Sequence, residues 1–161
     1  MLLWFVAAAV VGVYFVFDSA AVDYRYVALG GVLPLLETLT GKPLVLHTLL
    51  GSVALMALVM AFTVGRRVRR RRLLGVPIGT FVFLVAAGVW TRTELFWWPF
   101  AGLDGIARPP MPAYNRPIPL LVLLEAVGVV ALVWLVRRFD LTAEPQRGEL
   151  VRTGRLPREV A

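Results

Sequence analysis

The chain has 161 residues, is 59% hydrophobic and has a mean hydropathy of +0.77; soluble domains run at about 45–50% apolar, so composition points to a membrane protein and length to one domain. There is no cysteine, which excludes disulfides, thiolate metal ligands and a cysteine nucleophile. The formal charge is +7, from 17 basic and 10 acidic residues, but the arginines gather at the ends of apolar runs, where membrane topology accounts for them without nucleic acid as a partner.

The first apolar run covers 2–17. Ser19-Ala20-Ala21 would suit signal cleavage, yet no Lys or Arg precedes the run and it is long for a signal core, so it is expected to be an uncleaved first helix. Asp18, Asp23 and Arg25 follow. Residues 26–40 are apolar but short, and Gly30, Gly31, Pro34 and Glu37 interrupt them. A span needs about 20 residues, so this piece reads as a re-entrant or broken helix, tolerated at membrane depth where protein or water covers its backbone. Gly41-Lys42-Pro43 closes it as a turn.

Two uncharged runs, 44–64 and 73–90, read as spans. Between them Arg66-Arg67-Val68-Arg69-Arg70-Arg71-Arg72 places six arginines in seven residues. Such a loop stays cytoplasmic and meets anionic lipid head groups, at about 1 kcal/mol per basic residue near the surface. A loop with Pro99, Pro109, Pro110, Pro112 and Pro117 comes next, opened by Trp90, Phe96, Trp97, Trp98 and Phe100, the aromatic belt of a membrane interface. Residues 118–136 form the last span, closed by Arg137-Arg138. From 139 to 161 the chain is polar without periodicity and reads as a disordered basic tail.

The expected fold is an all-α integral membrane protein of the bacterial inner membrane: a bundle of four transmembrane helices plus a short re-entrant or broken helix over 1–138, then the tail. With the arginine loop and the tail (Arg137, Arg138, Arg147, Arg152, Arg155, Arg158) cytoplasmic, the proline loop is outside and the N-terminus inside. Asp18, Asp23, Glu37, Arg92, Glu94 and Asp104 then fall near the outer face, with His47 about one turn below it. If 26–40 crosses instead, there are five spans and the N-terminus is outside.

Carboxylates and a histidine on one side of a bundle could hold a divalent metal, which would activate a bound water; equally, outer carboxylates are ordinarily solvated and a lone histidine near a helix end ordinarily hydrogen-bonded. Glu125, about two turns into an apolar helix, is a functional or ion-pairing candidate because a carboxylate there is costly unless paired. Arg92, Arg116 and His47 are its candidate partners. Gly51-Ser52-Val53-Ala54 has the small-residue spacing that lets helices approach closely. There is no phosphate-binding glycine loop, no HExxH and no Ser-His-Asp pattern.

Five stretches carry a family resemblance: Asp23-Tyr24-Arg25, Leu29-Gly30-Gly31-Val32-Leu33-Pro34 before Glu37, Leu46-His47-Thr48-Leu49-Leu50-Gly51, Leu74 to Phe81, and Phe96-Trp97-Trp98-Pro99-Phe100. In their order the chain resembles the membrane-bound metal-dependent hydrolases, the LexA-binding inner-membrane-associated hydrolase group and its actinobacterial relatives, over roughly 14–136. The resemblance implies His47 and Glu37 as metal ligands; if activity is retained, their placement near the outer face adds Asp23 as a ligand around one divalent ion, with Glu125 as general base or orienting carboxylate. That family tends to carry a histidine and, four residues later, an aspartate on the next helix. Phe83 and Ala87 stand there, and neither side chain binds a metal, so the implied site is incomplete. Two other readings follow: a non-catalytic membrane subunit or scaffold of a larger membrane complex, and a small transporter subunit that uses Glu125 as a proton or cation site.

Overall fold

The computed structural model describes residues 1–17, 22–108 and 110–157; Asp18, Ser19-Ala20-Ala21, Pro109 and Arg158 lie outside them. Within the described residues the fold is all-helical, without strands. The α-helices are α1 (Leu2–Phe17), α2 (Tyr24–Val32), α3 (Leu49–Phe62), α4 (Arg67–Leu73), α5 (Gly75–Ala86), α6 (Thr93–Phe96), α7 (Ile118–Arg138) and α8 (Glu144–Thr153). Four 3-10 segments join them: Leu33–Thr40, Val45–His47, Val89–Thr91 and Leu103–Gly105. Among these helices only α7, with 21 residues, is long and apolar enough to cross a membrane; α1 and α3 are shorter apolar helices.

The bundle has an arginine end and an aromatic end. α1 and α7 run parallel: the backbone at Trp4 packs on Gly128, while Tyr14 meets Phe139 with ring centroids 5.3 Å apart. Both point toward the arginine end, where Arg137 and Arg138 close α7. α2 returns. Its start lies beside Gly75, at the arginine end, and Gly31 reaches Phe5 and Ala9 of α1. The 3-10 segment Leu33–Thr40 continues the same direction, so that Leu35 packs with Phe5 and Phe83 at the aromatic end. Residues 24–40 thus traverse the bundle instead of entering and leaving at one end. The physical reason is rise per residue. Nine α-helical and eight 3-10 residues reach about 30 Å, because the tighter helix climbs about 2.0 Å per residue against 1.5 Å. Pro34 costs little there, since it occupies the first turn of the 3-10 segment, where its missing N–H has no partner to lose.

The closest helix pairing is α2 on α5. It is made by glycine. A Cβ at Gly30 would lie 2.0 Å from the Val76 carbonyl oxygen, and one at Gly79 would lie 2.1 Å from that of Val27. Buried Thr80 ties the same pair together by donating from its hydroxyl to Gly30 O (3.2 Å) and Val76 O (3.1 Å). Gly51, by contrast, faces its own loop: a Cβ there would meet the Val45 carbonyl at 2.1 Å, so this glycine serves the α3 entry turn.

Three expected boundaries shift. The 44–64 run becomes helical only at Leu49, after the Val45–His47 turn. The 73–90 run stops at Ala86, because Gly88 takes a left-handed φ of 71°. The 139–161 tail is not disordered as far as it is described: α8 folds back, and Leu141 and Leu156 enter the core cluster of Val10, Val13, Val27 and Phe139. Apolar residues at 141, 150 and 156, too widely spaced to show a period, do this work.

Candidate functional site

Gly41, with φ 71°, reverses the chain after Thr40. The following residues, Leu44 to His47, therefore pass over the side chain of Glu37. Glu37 Oε2 accepts from Leu44 N (2.7 Å) and from His47 Nδ1 (2.7 Å), and Oε1 accepts from Leu46 N (2.8 Å). A carboxylate only accepts, so Nδ1 carries the proton in this pair and Nε2 is left as the free nitrogen. Thr48 then caps α3: its hydroxyl oxygen accepts from Gly51 N at 3.0 Å and donates to Val45 O at 2.7 Å. In the His47-Thr48-Leu49-Leu50-Gly51 stretch, His47 thus serves as clasp, Thr48 as cap and Gly51 as close approach.

His47 is fully buried at 0% exposure, and its Nε2 has no hydrogen-bond partner. Phe83 stands against the imidazole, edge to face, with centroids 5.3 Å apart. Ala87, the residue that ends α5, is buried in the same apolar cluster as Phe83. Of the two positions where the resembling family has ligands, Phe83 borders His47 and Ala87 lies one turn beyond it, and both side chains are carbon.

Asp23 is not part of this arrangement. It lies at the arginine end, about 20 Å of helix from Glu37. The extra pass made by 24–40 moves everything before it to the other end of the bundle. There Asp23 caps α2 and pairs with Arg25 (Oδ2 to guanidinium, 2.8 Å), buried to 2% exposure. The chain around Gly154 covers it: Tyr24 N donates to Gly154 O at 2.7 Å, and Arg25 donates to Val151 O.

Glu125 does lie at the aromatic end, but its partners are those of a helix cap. It accepts from Leu3 N (3.2 Å) and Trp4 N (3.3 Å) and lies 3.4 Å from the Met1 amino group. A carboxylate at these first N–H groups complements the positive end of α1. Arg92 and Arg116, expected as its partners, donate instead to the carbonyls of Pro110 (2.6 Å) and Ala86 (3.3 Å). Glu94 and Asp104 form exposed pairs with Arg108, each at 3.5 Å.

Among the described residues no three of His, Asp and Glu gather as a metal-holding group. The donor set around His47 falls short of a zinc site. Both oxygens of Glu37 are engaged by N–H groups, Asp23 is at the far end, and one imidazole nitrogen remains where zinc needs three or four protein ligands. The carboxylate–imidazole pair does have the form that orients a metal-bound or basic histidine, though its free nitrogen faces an apolar wall. Sequence reading missed the residues that set the helix geometry, Gly30, Gly75, Gly79 and Thr80; the four-residue spacing of Gly75 and Gly79 was the available signal. No family model matches the chain, and no curated protein or solved structure is significantly similar to it.

Proposed function

We propose that this chain is a non-catalytic multi-pass protein of the bacterial inner membrane, a subunit or scaffold that associates laterally with a larger membrane complex. The observation that carries the reading is the saturation of Glu37 by Leu44, Leu46 and His47. A carboxylate spent on fixing a chain reversal is a structural clasp. Membrane insertion is supported by α7, of which only 11% of the most apolar stretch is buried, whereas the core helix of a water-surrounded protein is mostly covered. Its outward face carries Val122, Leu123, Val127 and Val130. If the five end-to-end passes (α1, the 24–40 segment, α3, α5 and α7) all lie across the membrane, the positive-inside rule sets the arginine end inside and the N-terminus outside.

The absence of native cysteine permits the test. Single cysteines replacing Leu2, Lys42, Arg69 and Thr142 are probed with an impermeant maleimide in intact cells. Positions 2 and 42 should label and 69 and 142 should not. Protection at position 2 would restore the four-span topology, and recovery of the chain away from membranes would refute insertion.

A second reading is favoured by the unpartnered Nε2 of His47: a degenerate metal-dependent hydrolase that still binds an ion. Metal content of the purified wild type beside His47→Ala decides between them. A near-stoichiometric ion lost in the variant would overturn the non-catalytic reading.

A further inference from the structure

An apolar groove of about 570 Å³ opens between α1, α3 and α5, lined by Gly12 and Val16, Val53 and Met56, and Ile78 and Phe81 among others. Of its lining residues only Ser52 has a polar side chain. Its volume falls in the range of ligand sites, about 300–1,000 Å³. On α5 the lining runs from Pro77 to Val85, about 12 Å of helix. This slot is lined almost wholly by carbon and suits the hydrocarbon chain of a lipid. At Gly12 a Cβ would meet only Val82 Cγ1, at 3.9 Å, so a larger side chain there has room to enter the slot.

One end of the slot adjoins the arginine helix. Pro77 follows Arg72 by five residues, about 7 Å of helix. Arg66, Arg67, Arg69, Arg71 and Arg72 are exposed, and among the described residues no carboxylate pairs with any arginine of α4. Unneutralised guanidinium groups match phosphate oxygens bidentately, and they stand on the side where anionic lipids concentrate.

We propose that this groove and the α4 arginines together form a binding site for an anionic phospholipid, with one acyl chain in the slot and the phosphate on the arginines. The proposal rests on the membrane reading above and adds a specific site to it. Other occupants, a partner helix included, are outcomes of the test.

The full chain, purified in detergent, is offered phosphatidylglycerol and phosphatidylcholine of identical chains, and retained lipid is read by native mass spectrometry. Phosphatidylglycerol should be retained about tenfold or more over phosphatidylcholine, and the triple variant R70Q/R71Q/R72Q should lose most of that preference. Gly12→Leu, which fills the slot, should lower retention of both lipids with unchanged thermal unfolding. If Gly12→Leu folds poorly, Val53→Phe at the exposed rim gives the same readout. A phosphatidylglycerol with a photoactivatable acyl chain should label peptides of α1, α3 and α5. Equal retention of the two lipids, or labelling confined to α7, would overturn the proposal, as would a co-purified protein that protects the groove. A chain found away from membranes would refute the membrane reading itself; a membrane-embedded chain without head-group preference would refute only the lipid site.

Discussion

Replacing Glu37 separates a clasp from a ligand. Glu37→Ala leaves the N–H groups of Leu44 and Leu46 and the Nδ1 proton of His47 without their acceptor. Each orphaned buried donor costs about 1–3 kcal/mol; with partial relaxation of the loop, the total should be about 3–6 kcal/mol. Glu37→Gln should cost less. Its carbonyl can take the place of Oε2 and keep both Leu44 N and His47 Nδ1, which leaves Leu46 N facing the amide without an acceptor. That is about 1–3 kcal/mol. Equilibrium unfolding in mixed detergent, followed by tryptophan fluorescence, measures both. The ordering wild type, Gln, Ala is the signature of a geometric clasp. A Glu37→Ala protein as stable as wild type would refute the reasoning, and so would equal losses in the two variants.

Gly79→Ala should destabilise by about 1–3 kcal/mol or more, since its methyl would press on the Val27 carbonyl at 2.1 Å; Gly148→Ala, whose methyl meets nothing within 4 Å, serves as the control and should be neutral or slightly stabilising by the same unfolding assay. Gly154→Ala places a methyl 1.8 Å from Asp23 Oδ1 at a φ of 74°, so the C-terminal segment should detach and limited trypsin should cut at Arg152 and Arg155 faster than in wild type. F83H/A87D should create metal binding, with His47 Nε2 as the third ligand, read as stoichiometric zinc by mass spectrometry and abolished by adding His47→Ala; no bound metal in a folded double variant would show that the positions do not converge.

The apolar runs at 2–17 and 118–136 were legible because they are almost unbroken by charge and end at Asp18 and at Arg137-Arg138, and α1 and α7 begin where expected. In 24–40 the break was legible from Gly30, Gly31 and Pro34, and the structure shows it as the change from α2 to a 3-10 segment. Its reach was not, because a residue count assumes α-helical rise and the 3-10 segment climbs further per residue. With 26–40 taken as re-entrant, Asp23 falls at the end of the bundle opposite to the one it occupies. The resemblance joins Glu37 and His47 as metal ligands; the structure joins them as a hydrogen-bonded pair across a turn, ten residues apart. Glu125 failed differently. Its partners are backbone N–H groups of α1, which carry no side-chain signature and so cannot be found by searching for charges.

The seal over Asp23 has a consequence in time. Arg25 reaches a carbonyl 126 residues further along the chain, at Val151, and Tyr24 binds Gly154. At a synthesis rate of about 5–20 residues per second, the buried carboxylate of Asp23 waits roughly 6–25 seconds for its cover. During that interval α2 has its cap but no lid, and the nascent bundle is open at the arginine end. Synthesis of the segment around Gly154 is thus the event that closes it, and nascent chains stalled before Gly154 should be cut by protease at the arginine end faster than chains that contain it.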